Sequence, residues 1–262
     1  MVETWHIKAP PPGQPLPASA VGLLLDAAGE ARPAAKMMGF LDAVAPIDYL
    51  SLVEYVPAAR RDLAAPELVE GHENGRASTV TSECFGLYRK HFWREDHGTR
   101  IAQQLGSEGQ PVTALHFQAD DIHVPSWRAE IYERAQLADR LSFFYTPVAG
   151  SVYAINLYRN NRRGPFRSGE IERLLAVAPL LRQVHRGALK AGVPAQAPLA
   201  DRVAEAARVL ARRFPELSER ELAVAARIAC ALSADGIAAD LDVAPSTVAT
   251  LRKRAYAKLA LR

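Results

Sequence analysis

The stretch LSERELAVAARIACALSADGIAADLDVAPSTVATLRKRAYAKLALR (217–262) constrains the fold more than any other part of the chain. Ser218 with Glu221 three residues on is a capping box, in which each side chain satisfies an amide at the start of a helix. Leu222, Ala225, Ala226 and Ala229 follow at helical spacing and give one apolar stripe to a helix ending near Ala231. Ser233 is placed to cap a second, short helix whose inner side is Ile237, Ala238 and Leu241, with Asp235 suited to its first turn. Asp242 falls in the turn, where a left-handed backbone is expected. Pro245 opens a third helix at the position that has no use for an N–H.

On that third helix Val248, Leu251, Ala255 and Leu259 lie along one side and are expected to bury. The opposite side carries Ser246, Thr250, Lys253 and Ala257, flanked by Thr247, Ala249 and Arg254. From 245 onward the chain has five basic residues, Arg252, Lys253, Arg254, Lys258 and Arg262, and no acid. A helix that packs one stripe and shows short polar and basic side chains on the other is suited to a DNA major groove. Ser and Thr reach base edges or phosphates there, and Lys and Arg reach guanine edges or phosphate oxygens.

The segment resembles the LuxR/FixJ-type DNA-binding domain of bacterial transcription factors. The likeness rests on L-S-x-R-E at 217–221, Leu232-Ser233, Ile237-Ala238, Leu241, Thr247-Val248 and Lys258-Leu259. It implies that the helix from about 245 is the recognition helix, with Thr250 and Lys253 toward the bases and Thr247 on a phosphate. Arg252, Arg254, Ser246 and Lys258 complete the expected DNA-binding set. The sequence departs from the family's habits at Ala249 (often Lys), Leu251 (often His), Gly236 (often an acid) and Ala244 (often a capping Ser). The family commonly continues into a fourth, dimerising helix; this sequence stops at Arg262, so pairing is expected elsewhere, along 168–187 and 200–213. Sigma factors share this helical layout, but residues 1–199 lack the helical domain a sigma factor needs to bind core polymerase.

The rest of the chain says less. Residues 1–199 carry no net charge, in contrast to the basic C-terminal segment. No apolar run is long enough to span a membrane. The start, MVETWHIKAPPPGQPLPAS, lacks the apolar core of a secretory signal and reads as a Pro-rich disordered tail, 1–19. Cys84 and Cys230 lie in different expected domains and read as reduced thiols of a cytoplasmic protein. GALKAGVPAQAPLA is linker-like, giving a linker over 188–199. The domain between, 20–187, is expected to run helix (20–45, with Gly22, Gly29 and Pro33 dividing it), strands (47–56, 67–71), helix (78–105), strand (112–117), helix (126–136), a hairpin (139–148 with 151–159) and helix (168–186). That order predicts an antiparallel sheet with flanking helices and looks like a GAF- or PAS-type sensor. The whole is therefore an α+β chain followed, over 200–262, by a linker helix and an all-α helix-turn-helix domain.

Small-molecule pockets are mostly apolar with a few placed polar groups. Trp93 and Trp127, with Tyr49, Tyr153 and the isolated polar Asn156, are the candidate ligand contacts. HFQADDIH groups His116, Asp120, Asp121 and His123, but the spacing fits no compact zinc pattern and reads as a polar loop. No nucleophile with its base, phosphate-cradling glycine loop or CxxC pair is visible. The expectation is thus a non-enzymatic transcription regulator needing no cofactor or metal. It would bind double-stranded DNA at an inverted repeat as a homodimer, answer to a small-molecule effector, and act on RNA polymerase. A sensor domain that only dimerises, a sigma-like polymerase subunit, and an enzyme with a DNA-binding tail are the competing readings.

Overall fold

A computed structural model describes residues 2–7, 15–30, 32–56, 65–73, 79–105, 111–148, 151–191 and 199–259. The chain divides into two units, Met1–Ala191 and Gly192–Arg262.

The first unit is built on six antiparallel strands in the order β1-β4-β5-β6-β2-β3. They are β1 (Glu3–Ile7), β2 (Tyr49–Tyr55), β3 (Glu67–Glu73), β4 (Val112–Gln118), β5 (Leu137–Val148) and β6 (Ser151–Asn160). Side chains alternate between the faces of a strand, so register decides what each layer contains. Leu141 pairs with Leu157 and Phe143 with Ile155 on the central β5–β6 hairpin. These four, with Leu50 and Leu52, form one core beneath three helices, α1 (Ala18–Ala28), α2 (Ala34–Val44) and α6 (Ser168–Ala191). Ile171, Leu174, Ala178 and Leu181 of α6 recur every three or four residues and are buried there. The stripe expected to serve as a dimer seam on α6 is thus used inside the unit. The other face carries Val53, Phe144, Ala154 and Phe117 under α3 (Thr79–Leu87), α4 (His97–Gln104) and α5 (Pro125–Trp127).

The helix over 20–45 is two helices, divided as expected between Gly29 and Pro33. Two other expectations are corrected. The helix over 78–105 is also broken. After α3 the chain makes a π-helical turn, Tyr88–Phe92, then starts again at α4, whose first turn is capped by Asp96 accepting from the Gly98 amide at 2.9 Å. Gly98 is required where it stands, because a Cβ there would lie 2.7 Å from Phe144 Cζ. The second correction concerns the expected tail over 1–19. Glu3–Ile7 is the edge strand β1, paired with β4 from Glu3↔His116 to Ile7↔Val112. Residues 8–14 lie outside the described part.

His116 holds this edge in place and belongs to no metal cluster among the described residues. Its Nε2 lies 2.8 Å from the buried Asp139 carboxylate and its Nδ1 3.5 Å from Glu3. Asp139 also accepts the Phe166 amide at 2.7 Å.

The second unit contains α7 (Leu199–Arg213), α8 (Glu219–Ala229), α9 (Ala234–Leu241) and α10 (Pro245–Lys258). The local signals act as expected. Ser218 and Glu221 form a reciprocal capping box, Ser233 accepts from the Gly236 amide at 3.1 Å, and Asp242 adopts φ 51°, ψ 51°. Val224, Ile237, Ala238 and Val248 make the small core joining α8, α9 and α10. A second cluster, Leu217, Ala225 and Ala255, takes in Leu210 and Phe214 from α7 and its C-terminal continuation. The helix over 200–213 therefore packs as part of the second unit.

Two predictions follow from these contacts. Burial disfavours the charged His116 imidazole, but Asp139 and then Glu3 outweigh it and raise its pKa above the usual 6.5. A raised folded-state value gives stabilisation that is complete below pH 6.5 and lost as pH rises through that value. His185 is neutral throughout this window, since burial pulls its pKa down to about 4. Urea denaturation should show stability declining above pH 6.5, and His116→Gln should flatten that slope. Separately, Ala244 leaves the N-terminus of α10 without a side-chain cap. Ala244→Ser should stabilise the second unit by about 1 kcal/mol, read as a higher midpoint in thermal denaturation of that unit's transition.

Candidate DNA-reading helix and sensor cavity

On α10, Val248 and Ala255 are fully buried and Leu251 half-buried, while Ser246, Thr250, Lys253 and Arg254 are exposed and Thr247 half-buried. The four exposed residues share one side, as 100° steps along the helix require. Thr250 Oγ1 donates to the Ser246 carbonyl at 2.9 Å, so its hydroxyl proton is engaged within the helix. What Thr250 offers outward is a methyl group and oxygen lone pairs. Ser218 and Arg220 at the start of α8 share with Ser246, Thr247 and Arg254 an open groove of about 660 Å³. Exposed Arg220 was not foreseen; its signal was its place inside the capping box, at the end of α8 that meets the reading side. One acid, Glu219, lines the same groove.

Two members of the expected DNA-binding set lie elsewhere. Lys258 Nζ donates to the Glu216 carbonyl at 2.8 Å and to Glu221 Oε2 at 2.6 Å, tying the end of α10 to the start of α8. That ammonium, with the Ser218 amide, holds the Glu221 carboxyl down at about 2. Lys258 is therefore a structural lock. Arg252 is exposed but turned about 100° from Lys253, beside Ile228, Leu232 and Tyr256.

In the first unit, register places polar residues in the middle of a sheet face. Tyr49, Tyr158 and Arg140 lie in one cross-strand row, and Ser51, Asn156 and Ser142 in the next. Above them are rings carried by two π-helical turns, Tyr88 in Tyr88–Phe92 and Tyr132 in Arg128–Glu133, together with Trp127. Such turns recur at functional sites because the extra residue re-aims the side chains around it. Between floor and roof is a cavity of about 60 Å³, lined by Tyr49, Trp127, Tyr132, Arg140, Asn156 and Tyr158 among others.

One buried ion pair organises this region. Arg140 Nη2 lies 2.8 Å from both Asp96 oxygens, and Tyr88 Oη donates to the same carboxylate at 2.9 Å. Both Asp96 and Arg140 are buried, and the guanidinium also lies 4.2 Å over the Phe117 ring. Burial pushes the phenols of Tyr55, Tyr88, Tyr132 and Tyr158 up, so all stay neutral near pH 7. The hydrogen bonding is incomplete. Tyr132 Oη, Arg140 Nε and Ser142 Oγ are buried with no hydrogen-bond partner.

Of the candidate ligand contacts, Tyr49, Trp127 and Asn156 reach the cavity. Trp93 does not: it is buried in the aromatic layer with Arg94 stacked 4.4 Å over its ring. Tyr153 points to the other face, against His185 at 5.2 Å between ring centroids. Strand parity explains the error, since positions 153 and 156 are an odd number apart. The same parity would have revealed Arg140, which shares a face with Ser142 and Phe144, and Tyr158, which shares one with Asn156.

The C-terminal unit has the arrangement of a helix-turn-helix DNA-binding module. Residues 215–262 match the family model described as bacterial regulatory proteins, luxR family. That match covers the C-terminal helix-turn-helix segment, so the chain carries a DNA-binding domain of this family. No curated protein matches the chain significantly. Among solved structures the full length is similar to SdiA of Escherichia coli, at 16% identity and a TM-score of 0.47, covering 93% of this chain and 91% of that one. Also similar are CepR2 of Burkholderia cenocepacia, described as an N-acylhomoserine lactone dependent LuxR family factor (15%, TM-score 0.45, 69% of this chain and 97% of that), and the VqsR LBD domain of Pseudomonas aeruginosa (14%, 0.46, 66% and 96%). Among the described residues no helix is long and apolar enough to cross a membrane.

The ion pair yields a test of its own. Removing one partner of a buried pair strands the other charge, typically at a cost of ~3–5 kcal/mol. Asp96→Ala should destabilise the first unit by about that much in urea denaturation, and adding Arg140→Met should restore most of the loss.

Proposed function

We propose that this protein is a dimeric transcription regulator that reads an inverted-repeat operator through α10 and takes a small-molecule effector in its N-terminal unit. The observation that carries the DNA-reading assignment is the exposed, acid-free side of α10, with Ser246, Thr250, Lys253 and Arg254 together and the opposite side buried. Lys253 is assigned to base edges, Arg254, Thr247 and Arg220 to phosphates, and Thr250 to an apolar or acceptor contact. Two copies on half-sites one helical turn apart make the operator a two-fold repeat. Leu199 and Val209 remain exposed on α7, and that helix is the proposed meeting surface. Effector binding then shifts the balance between two arrangements of the dimer, and with it contact with RNA polymerase.

The effector reading is supported by the polar rows beneath an aromatic roof and by the partnerless polar atoms. Native interiors rarely leave such groups unpaired unless something else pairs them. The modest cavity volume favours a second reading, in which the N-terminal unit only dimerises; ligand sites for drug-sized molecules run to about 300–1,000 Å³. Ligand titrations described below separate the two.

The DNA assignments are tested by gel shifts across salt concentrations with operator and random duplexes. Lys253→Ala is expected to weaken operator binding by ~1–3 kcal/mol while changing random-duplex binding little. Arg254→Ala is expected to weaken both alike and to lower the salt slope by about one. Unchanged binding by both variants would refute the assignment of α10.

A further inference from the structure

We infer that the cavity selects a compact, uncharged, single-ring molecule carrying one carbonyl-type acceptor, held by Arg140 Nε and Tyr132 Oη; this rests on the effector reading above. Three observations converge. First, size: about 60 Å³ corresponds to about four to six water-sized positions, the extent of one ring and not of a long flexible chain. Second, walls: Trp127 and Tyr132 meet edge to face at 6.2 Å between centroids, and Tyr88 lies 6.0 Å from Trp127, so flat aromatic faces bound the space. A planar ring meets such faces with good contact and little loss of conformational freedom.

Third, hydrogen bonding and charge. Arg140 is the charged side chain among the lining residues, and Asp96 neutralises it at 2.8 Å. Asp96 itself is fully engaged, accepting from Gly98 N, Tyr88 Oη and Arg140 Nη2. A ligand therefore finds no free acceptor in that carboxylate, and an anionic ligand would lose its hydration with no unpaired cation to offset the loss. What remains are donors. Arg140 Nε has an N–H with no partner, and Tyr132 Oη has an O–H with none. Both residues line the cavity, and two unused donors on its walls' side chains match in number the two lone pairs of a ketone or amide oxygen.

Three probes against the full chain in saturation-transfer NMR titrations separate the properties. Acetophenone has the ring and the neutral acceptor, benzoate the ring and a charge, and octan-2-one the same acceptor on a flexible chain. Acetophenone is expected to bind at least tenfold more tightly than either of the others. Tyr132→Phe keeps the ring and removes the donor. It should weaken acetophenone about three- to tenfold, the worth of one hydrogen bond. The same variant without ligand should melt no lower than wild type, because the hydroxyl it loses has no partner. Opposite effects on ligand affinity and on stability are what a merely structural tyrosine does not give. Tighter binding of benzoate or octan-2-one, or unchanged acetophenone affinity in Tyr132→Phe, overturns the ligand class while leaving the effector reading in place. Binding of none of the three probes likewise overturns the ligand class.

Discussion

The Asp96–Arg140 contact is the constraint around which the N-terminal unit is arranged. Asp96 caps α4, receives the phenol of Tyr88 from the π-helical turn before it and pairs with a guanidinium from the centre of the sheet. Three elements thus meet at one carboxylate. A buried ion pair contributes little net stability, because desolvation offsets its attraction, but a broken one is costly. Its effect is to fix position. It sets the height of Tyr88 above the sheet and directs the guanidinium across Phe117, leaving Nε without a partner. The cavity follows from that geometry.

The DNA-binding unit depends on a different economy. Its core is small, built from alanines and a few branched residues, and its helices are short. Capping residues therefore matter more than they would in a large domain. Ser218, Glu221 and Ser233 satisfy helix starts, Asp242 takes the left-handed turn, and Lys258 ties the last helix to the first. The last of these engages within the unit one cation that the sequence places in the expected DNA-binding set.

Legibility in the sequence differs between the units for a physical reason. In 217–262 most structural decisions are local: caps, a turn residue and helical spacing occur within a few positions, so all three helices were readable, although Ala229, expected on the buried stripe of α8, is exposed and Val224 is buried instead. The sheet is decided by pairing between distant strands. The element order and the hairpin of β5 and β6 were visible in the sequence, yet the rows that assemble Tyr49, Tyr158 and Arg140 exist only once register is known. Within a strand, parity alone would have separated Tyr153 from Asn156. Strand β1 was missed because its five residues precede a proline-rich stretch, and nothing local marks Glu3 and Trp5 as partners of His116 and Ala114.

The two π-helical turns imply how a pocket of this kind changes over evolutionary time. Each holds one residue more than an α-helix needs for the same rise, and each carries a roof ring. Deleting a single codon within Tyr88–Phe92 or Arg128–Glu133 would restore regular winding and rotate the residues on one side by about 100°. A wall would be exchanged wholesale while the floor stayed as it is. Chemical preference in such a scaffold can therefore jump by changes of length, where point substitution would alter it one side chain at a time.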